Sequence, residues 1–166
     1  MNLTFTKALS TKEPMAMIQT VSIWLNQKNI NQWQNFVNGE ADEVIKQAVE
    51  RGETWLVFDG VEPIATFNMA TRQNNWDVNL WGDKNDRAYY LHRVAIKPAY
   101  MKTGIGEHIL SYVEQTATSE NIPAVRLDCV QSSQKLNDYY QSNGYNVVSI
   151  KDGFTLYEKH AVKDHT

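Results

Sequence analysis

The chain has 166 residues, 42% of them hydrophobic and 21% charged, with 16 Lys and Arg against 19 Asp and Glu for a formal net charge of −3. That length suits one domain with a real core, residues 1–160 with a polar tail over 161–166, and the acidic balance argues against nucleic acid as a partner. No apolar run approaches the ~18 residues of a membrane span, no basic segment followed by an apolar stretch opens the chain, and Cys129 is the only cysteine; a cytoplasmic protein with no membrane partner and no intrachain disulfide is expected.

Leu3 to Leu9 reads as a first strand. Glu13-Pro14 opens a helix whose apolar stripe is Met17, Ile18, Val21, Trp24 and Leu25. Residues 29–38 are polar and turn-rich, anchored by Trp33 and Phe36. A second helix over Ala41 to Arg51 turns Val44, Ile45, Ala48 and Val49 inward and is closed by Gly52. Thr54 to Phe58 and Val61 to Met69 form a hairpin about Asp59-Gly60. Thr71 to Arg87 reads as a long polar connection holding Trp76 and Trp81. A strand at Leu91 to Ile96 then leads through a loop into an amphipathic helix striped by Ile109, Leu110 and Val113. A buried strand over 124–129, a helix over 132–143 and a hairpin of Tyr145 to Ile150 with Phe154 to Glu158, turning at Asp152-Gly153, complete the order β-α-α-β-β-β-α-β-α-β-β.

The loop after Ile96 is the most informative part of the chain. Pro98 stops the strand, and Gly104 and Gly106 open the next helix. Amides left unpaired at a helix N-terminus attract an anion, and glycine lets a phosphate approach the backbone. The chain has no P-loop string, and a dinucleotide fingerprint would need a glycine where Ile109 stands. The layout of strand, Pro98, Tyr100, Gly104-Ile105-Gly106 and helix instead resembles the acetyl-CoA motif of the GNAT superfamily of N-acetyltransferases, with Met101 where that family carries Arg or Gln. Tyr140, Asn143, Gly144 and Tyr145 resemble the family's second strand–helix block. Trp24-Leu25, Gln32-Trp33, Gly52-Glu53 and Tyr90-Leu91-His92-Arg93 resemble a bacterial branch that acts on small molecules.

The resemblance implies an α/β (α+β) GNAT fold, with a mixed, mostly antiparallel sheet, a splayed parallel strand pair and flanking helices. It implies acetyl-CoA (CoA) as co-substrate, a small-molecule amine as acceptor, and leaves a homodimer open. Val94, Ala95 and Ile96 would meet the pantetheine arm, and Met101, Lys102, Thr103, Gly104, Ile105, Gly106 and Glu107 the pyrophosphate. Ser133 falls where many members carry a cofactor-contacting Asn, and Tyr140 on the general acid. Tyr139 beside it is expected to pack in the core. A phenol stays protonated at neutral pH and can donate to a departing thiolate.

His92 is the best side chain for taking a proton from the amine, with a water chain as the alternative; His108 is expected on the surface, and His160 and His165 in the tail. Trp33, Trp76, Trp81 and Asp83, with Asp77 and Asp86, suggest an aromatic and acidic receptor for a cationic amine; alternatively the 71–87 segment is a solvated loop whose acids are balanced by Arg72, Lys84 and Arg87. No metal site is expected, because ligand-spaced His, Cys and acidic residues are lacking. Two other readings stand beside the transferase: a non-catalytic acyl-CoA-binding protein, and a hydrolase using Cys129, which lacks a base at recognisable spacing.

Overall fold

The computed structural model describes residues 1–28 and 42–161. Residues 29–41, with Trp33 and Phe36, and residues 162–166, with His165, lie outside the described residues. The elements are β1 (Leu3–Lys7), α1 (Lys12–Gln27), α2 (Asp42–Glu50), β2 (Thr54–Asp59), β3 (Glu62–Ala70), α3 (Asn75–Trp81), β4 (Tyr89–Ile96), a 3₁₀ turn at Pro98–Tyr100, α4 (Ile105–Ser119), β5 (Ala124–Val130), α5 (Gln134–Ser142), β6 (Asn146–Lys151) and β7 (Phe154–His160). The strands form a seven-stranded sheet in the order β1-β2-β3-β4-β5-β7-β6. It is mostly antiparallel, with one parallel pair in which Tyr89 lies opposite Val125 and Tyr90 opposite Arg126. No described helix is long and apolar enough to cross a membrane.

The chain forms two compact units, residues 1–69 with 92–108 and residues 70–91 with 109–166. In the first, α1 presents Met17, Ile18 and Val21 to the core, each at most 4% exposed, because 3.6-residue periodicity puts them on one stripe. Ile18 and Val21 join Ile45 of α2 and Ala95 of β4, with Met15, Leu25 and Met101 packed around them. Each large aliphatic side chain fully buried there contributes about 1.5–3 kcal/mol relative to exposure. Trp24 and Leu25 are only half-buried. Ser22, which periodicity does not single out, is buried and returns its hydroxyl to Ile18 O at 2.7 Å. Val44 of α2, expected inward, is 48% exposed; the helix buries Ile45 and Ala48, as expected, and leaves Val49 half-buried. The first hairpin pairs Asp59 with Glu62, so its two-residue loop is Gly60-Val61, one residue later than the sequence suggests.

In the second unit, Leu80, Trp81, Ala88, Tyr90, Ala124 and Leu156 form a core cluster. The Asp152-Gly153 loop has φ of 52° and 84°, the paired left-handed geometry that closes a tight hairpin without splaying its strands. β7 runs on to His160, so that exposed histidine ends a strand rather than sitting in a tail. The 71–87 connection is not simply a loop: Asn74 accepts from Asp77 N and Asp77 accepts from Asn74 N, a reciprocal capping box that starts α3.

Candidate active site

The loop after β4 is fixed by its own polar groups. Tyr100 donates its hydroxyl to Glu62 at 3.1 Å and Asp59 at 3.4 Å, on the β2–β3 hairpin. Thr103 Oγ1 donates to Tyr100 O. Lys102 and Gly104 take φ of 63° and 91°, turning the backbone so that α4 begins at Ile105. Gly104 is needed for that conformation and not for want of room, because a Cβ there would meet nothing within 4 Å. Among the described residues, the N–H groups of residues 102–107 donate no hydrogen bond; the first α4 amide with a partner is that of His108, on Gly104 O at 3.2 Å. Lys102, Thr103 and Glu107 are exposed, and Gly104 and Gly106 are half-buried. A run of unpaired amides at the start of a 15-residue helix, with open space over its glycine, is the donor set a phosphate group requires.

Met101 turns the other way. Its thioether packs on the Ile18–Ile45–Ala95 cluster, so this position anchors the loop to the core. Ala95 is buried, with Val94 and Ile96 half-buried beside it on β4. His108 is exposed, as its place on α4 suggests.

In the second unit, α5 starts at Ser133, whose Oγ accepts from Leu136 N at 3.3 Å as an N-cap. Asn137 ties the helix down, donating to Val130 O, Gln131 O and Ser133 O and accepting from the Tyr157 hydroxyl at 2.6 Å. Tyr140 sits one turn from its end, its ring 5.4 Å from Tyr139, 5.9 Å from Tyr157 and 6.2 Å from Tyr145. Its hydroxyl makes no hydrogen bond among the described residues, whereas Tyr145 donates to Glu114 at 2.9 Å, Tyr157 to Asn137, and Tyr89 to Glu120 at 2.5 Å. Burial raises the Tyr140 phenol above its ordinary value, helped by Cys129, Tyr139 and the Asp128 carboxylate, so it is protonated at neutral pH. Tyr139, expected to be the core member of the pair, is only half-buried like Tyr140; the core tyrosines here are Tyr145 and Tyr157, at 2% and 0% exposure. Cys129 is buried and its thiol pushed up to about 11, by burial and then by Asp128, which keeps the thiolate scarce and the hydrolase reading poor.

The residues expected to receive the amine are divided. Trp76 is 40% exposed, donates its indole N–H to Asp128 at 3.1 Å and meets Phe154 edge-on at 4.8 Å. Trp81 is in the core, its ring facing Tyr90 and the Arg126 guanidinium at 5.3 Å. Asp77 is held in the α3 cap, and Asp86 is held by Arg126 through two bonds of 2.9 and 2.5 Å. Among the described members of that set, only Asp83 is exposed and without such a role. Asp86 is thus balanced chiefly from outside the segment by Arg126, with Lys84 adding a smaller attraction. Arg126, 5% exposed, also reaches Glu158 at 2.7 Å and the Tyr90 hydroxyl at 2.8 Å. Sequence reasoning passed over this arginine because it sits inside an otherwise apolar strand.

Arg93, which sequence reasoning meets only within the Tyr90-Leu91-His92-Arg93 match, has no role assigned there either. This residue takes φ of 49° in the middle of β4 and is half-buried. Burial lowers its guanidinium to about 10, with Glu53 opposing and Arg51 adding to that shift, so it is cationic at neutral pH. His92, next to it, is half-buried on the same strand.

The Acetyltransferase (GNAT) family matches residues 18–145. A Bacillus subtilis (strain 168) protein named uncharacterized N-acetyltransferase YesJ is 29% identical over 138 residues, covering 82% of this chain and 77% of its own. A GNAT family acetyltransferase from Listeria monocytogenes 4b F2365, solved by crystallography, superposes with a TM-score of 0.85 at 26% identity, over 95% of this chain and 94% of that one. The PaiA N-acetyltransferase from Thermoplasma acidophilum, crystallised with coenzyme A, has the same fold at a TM-score of 0.69 and 16% identity, over 96% and 99% of the two chains.

Proposed function

The chain belongs to the GNAT acetyltransferase family, and from that premise we propose that it moves an acetyl group from acetyl-CoA to the primary amine of a small molecule, by direct attack within a ternary complex. The observation that carries this reading is the run of unpaired amides over residues 102–107, a fit for the pyrophosphate of the donor. The coenzyme A bound by the Thermoplasma relative supports the same assignment.

The roles follow from what each group can donate or accept. The amides of 102–107 hold phosphate oxygens, and Lys102 adds a charge beside them. Backbone groups at Val94 and Ile96 pair with the amide-bearing pantetheine arm, and an N–H there supports the oxyanion that forms as the amine adds to the thioester carbonyl. His92 takes the proton the ammonium must lose before it can attack. As the C–S bond breaks, the electron pair leaves on sulfur and the Tyr140 hydroxyl gives its proton to that thiolate. Thiol release from acetyl-CoA across a panel of amines tests the reading. Amine-dependent release supports it; saturable acetyl-CoA binding without release from any amine overturns it. The latter result is what a non-catalytic acyl-CoA-binding protein would give, a reading to which Met101 lends support, because its inward packing removes the side chain that other members aim at the loop.

A further inference from the structure

Arg93 is a cation without a matching anion. Among the described residues it makes no hydrogen bond and no ion pair, although it is half-buried on a strand. The one acidic group whose charge acts on it is Glu53, and that carboxylate already accepts from Arg51 Nε at 3.2 Å. Two guanidiniums therefore share one carboxylate, leaving one positive charge unmatched. Its N–H groups are therefore open to acceptors brought from outside the protein, water or a ligand. The backbone at this residue is also held at positive φ, a conformation that a long side chain adopts only when its surroundings impose it. Strain and unmatched charge at one residue are typical of a position kept for a ligand rather than for the fold.

The position gives the ligand a class. Arg93 stands between His92 and Val94 on the strand to which the proposed function assigns the base and the pantetheine contacts. A planar guanidinium presents paired N–H groups that match a carboxylate in two parallel bonds. Asp77 and Asp86, which could have suited a polycationic acceptor, are engaged within the protein. We propose that Arg93 is a specificity-determining residue that receives a carboxylate of the acceptor, so that the acceptor is a small amine bearing a carboxylate, an amino acid or a close derivative.

This inference rests on the transferase reading, and the test separates the two. Amino acids would be compared with their carboxamides, which keep the amine and lose only the negative charge, by thiol release from acetyl-CoA. The wild-type protein should show a KM at least tenfold lower for the carboxylate member of each pair. Arg93→Met should raise that KM about tenfold or more, leaving kcat, the KM for the carboxamide and the KM for acetyl-CoA nearly unchanged. Arg93→Lys should restore part of the difference. Because the guanidinium has no partner among the described residues, Arg93→Met should melt no lower than wild type. A fall of several degrees would make Arg93 a structural strut and overturn the inference. Equal or better use of carboxamides would overturn it while leaving the transferase reading intact, and so would a raised KM for acetyl-CoA, which would assign Arg93 to the donor. If no amine released thiol, amino acids should still raise the melting temperature of the wild type and not of Arg93→Met; absence of that shift also overturns the inference.

Discussion

Tyr140 and Tyr145 lie five positions apart, touch each other, and carry different duties that a single oxygen atom tests. Tyr145 is buried and donates to Glu114, so Tyr145→Phe removes a hydrogen bond to a charged acceptor and should lower stability by about 1–3 kcal/mol with kcat unchanged. The Tyr140 hydroxyl has no such partner among the described residues. Tyr140→Phe should therefore leave the melting temperature within a degree or two of wild type and reduce kcat by about 10²–10⁴-fold, the range for a positioned acid. Denaturation curves and steady-state rates on both variants check the contrast. Full kcat in Tyr140→Phe, under conditions where chemistry limits the rate, would move proton delivery to water. A second family position carries a similar lesson. Met101 packs into the α1–α2 core, so Met101→Arg should lose that packing and cost roughly 1–3 kcal/mol, whatever it adds at the phosphates.

At the scale of elements, the loop entering α4 and the short helix α3 depend on local geometry that can be cut separately. Gly104 has φ of 91° and empty space where a Cβ would go. Gly104→Ala should therefore cost about 1 kcal/mol for the conformation alone, whereas Gly104→Asp should in addition place an anion against the proposed phosphate and abolish acetyl-CoA binding. Calorimetric titration distinguishes them: retained affinity in a folded Gly104→Asp variant would place the phosphate elsewhere. The α3 capping box was legible in the sequence as Asn74 followed three residues later by Asp77, yet the polar composition of 71–87 suggested a loop. Composition records what faces water, while a cap records which backbone groups need partners, and here the second decides. Asn74→Ala should cost about 1 kcal/mol, read by chemical denaturation.

For the whole molecule, stability should depend on ligand and on pH in directions already set by named groups. Acetyl-CoA at 100 times its dissociation constant should add about 2.7 kcal/mol to unfolding, seen as a raised melting temperature. Tyr89, Tyr140 and Tyr145 are all raised above the ordinary 10.0, each chiefly by burial. Groups raised on folding contribute stability that is intact below their unfolded value and lost as pH climbs past it, because only the unfolded chain can then release the proton. Melting temperature should accordingly hold to about pH 9 and fall above about pH 10, with the tyrosinates of Tyr89, Tyr140 and Tyr145 forming only on unfolding. Asp86 acts oppositely. The Arg126 guanidinium lowers its carboxyl from the ordinary 3.8, so its contribution is present above that value and is lost as pH drops below it.

The sequence determined most of the element order, the glycine loop with its family, and the aliphatic stripes of α1 and α4, because periodicity, turn chemistry and motif spacing act along the chain and leave their mark in neighbouring residues. It did not determine the partners of charged groups. Arg126 lies 40 residues from Asp86 and 32 from Glu158, and which acid neutralises which base depends on strands brought together only by the sheet. For the same reason Trp81, which composition offers as a receptor for an amine, is a core residue, and Arg93, to which the Tyr90-Leu91-His92-Arg93 match assigns no role, is left with an unmatched charge. Local rules fix where the backbone turns; burial and electrostatic pairing are settled only when distant segments share the same low-dielectric space.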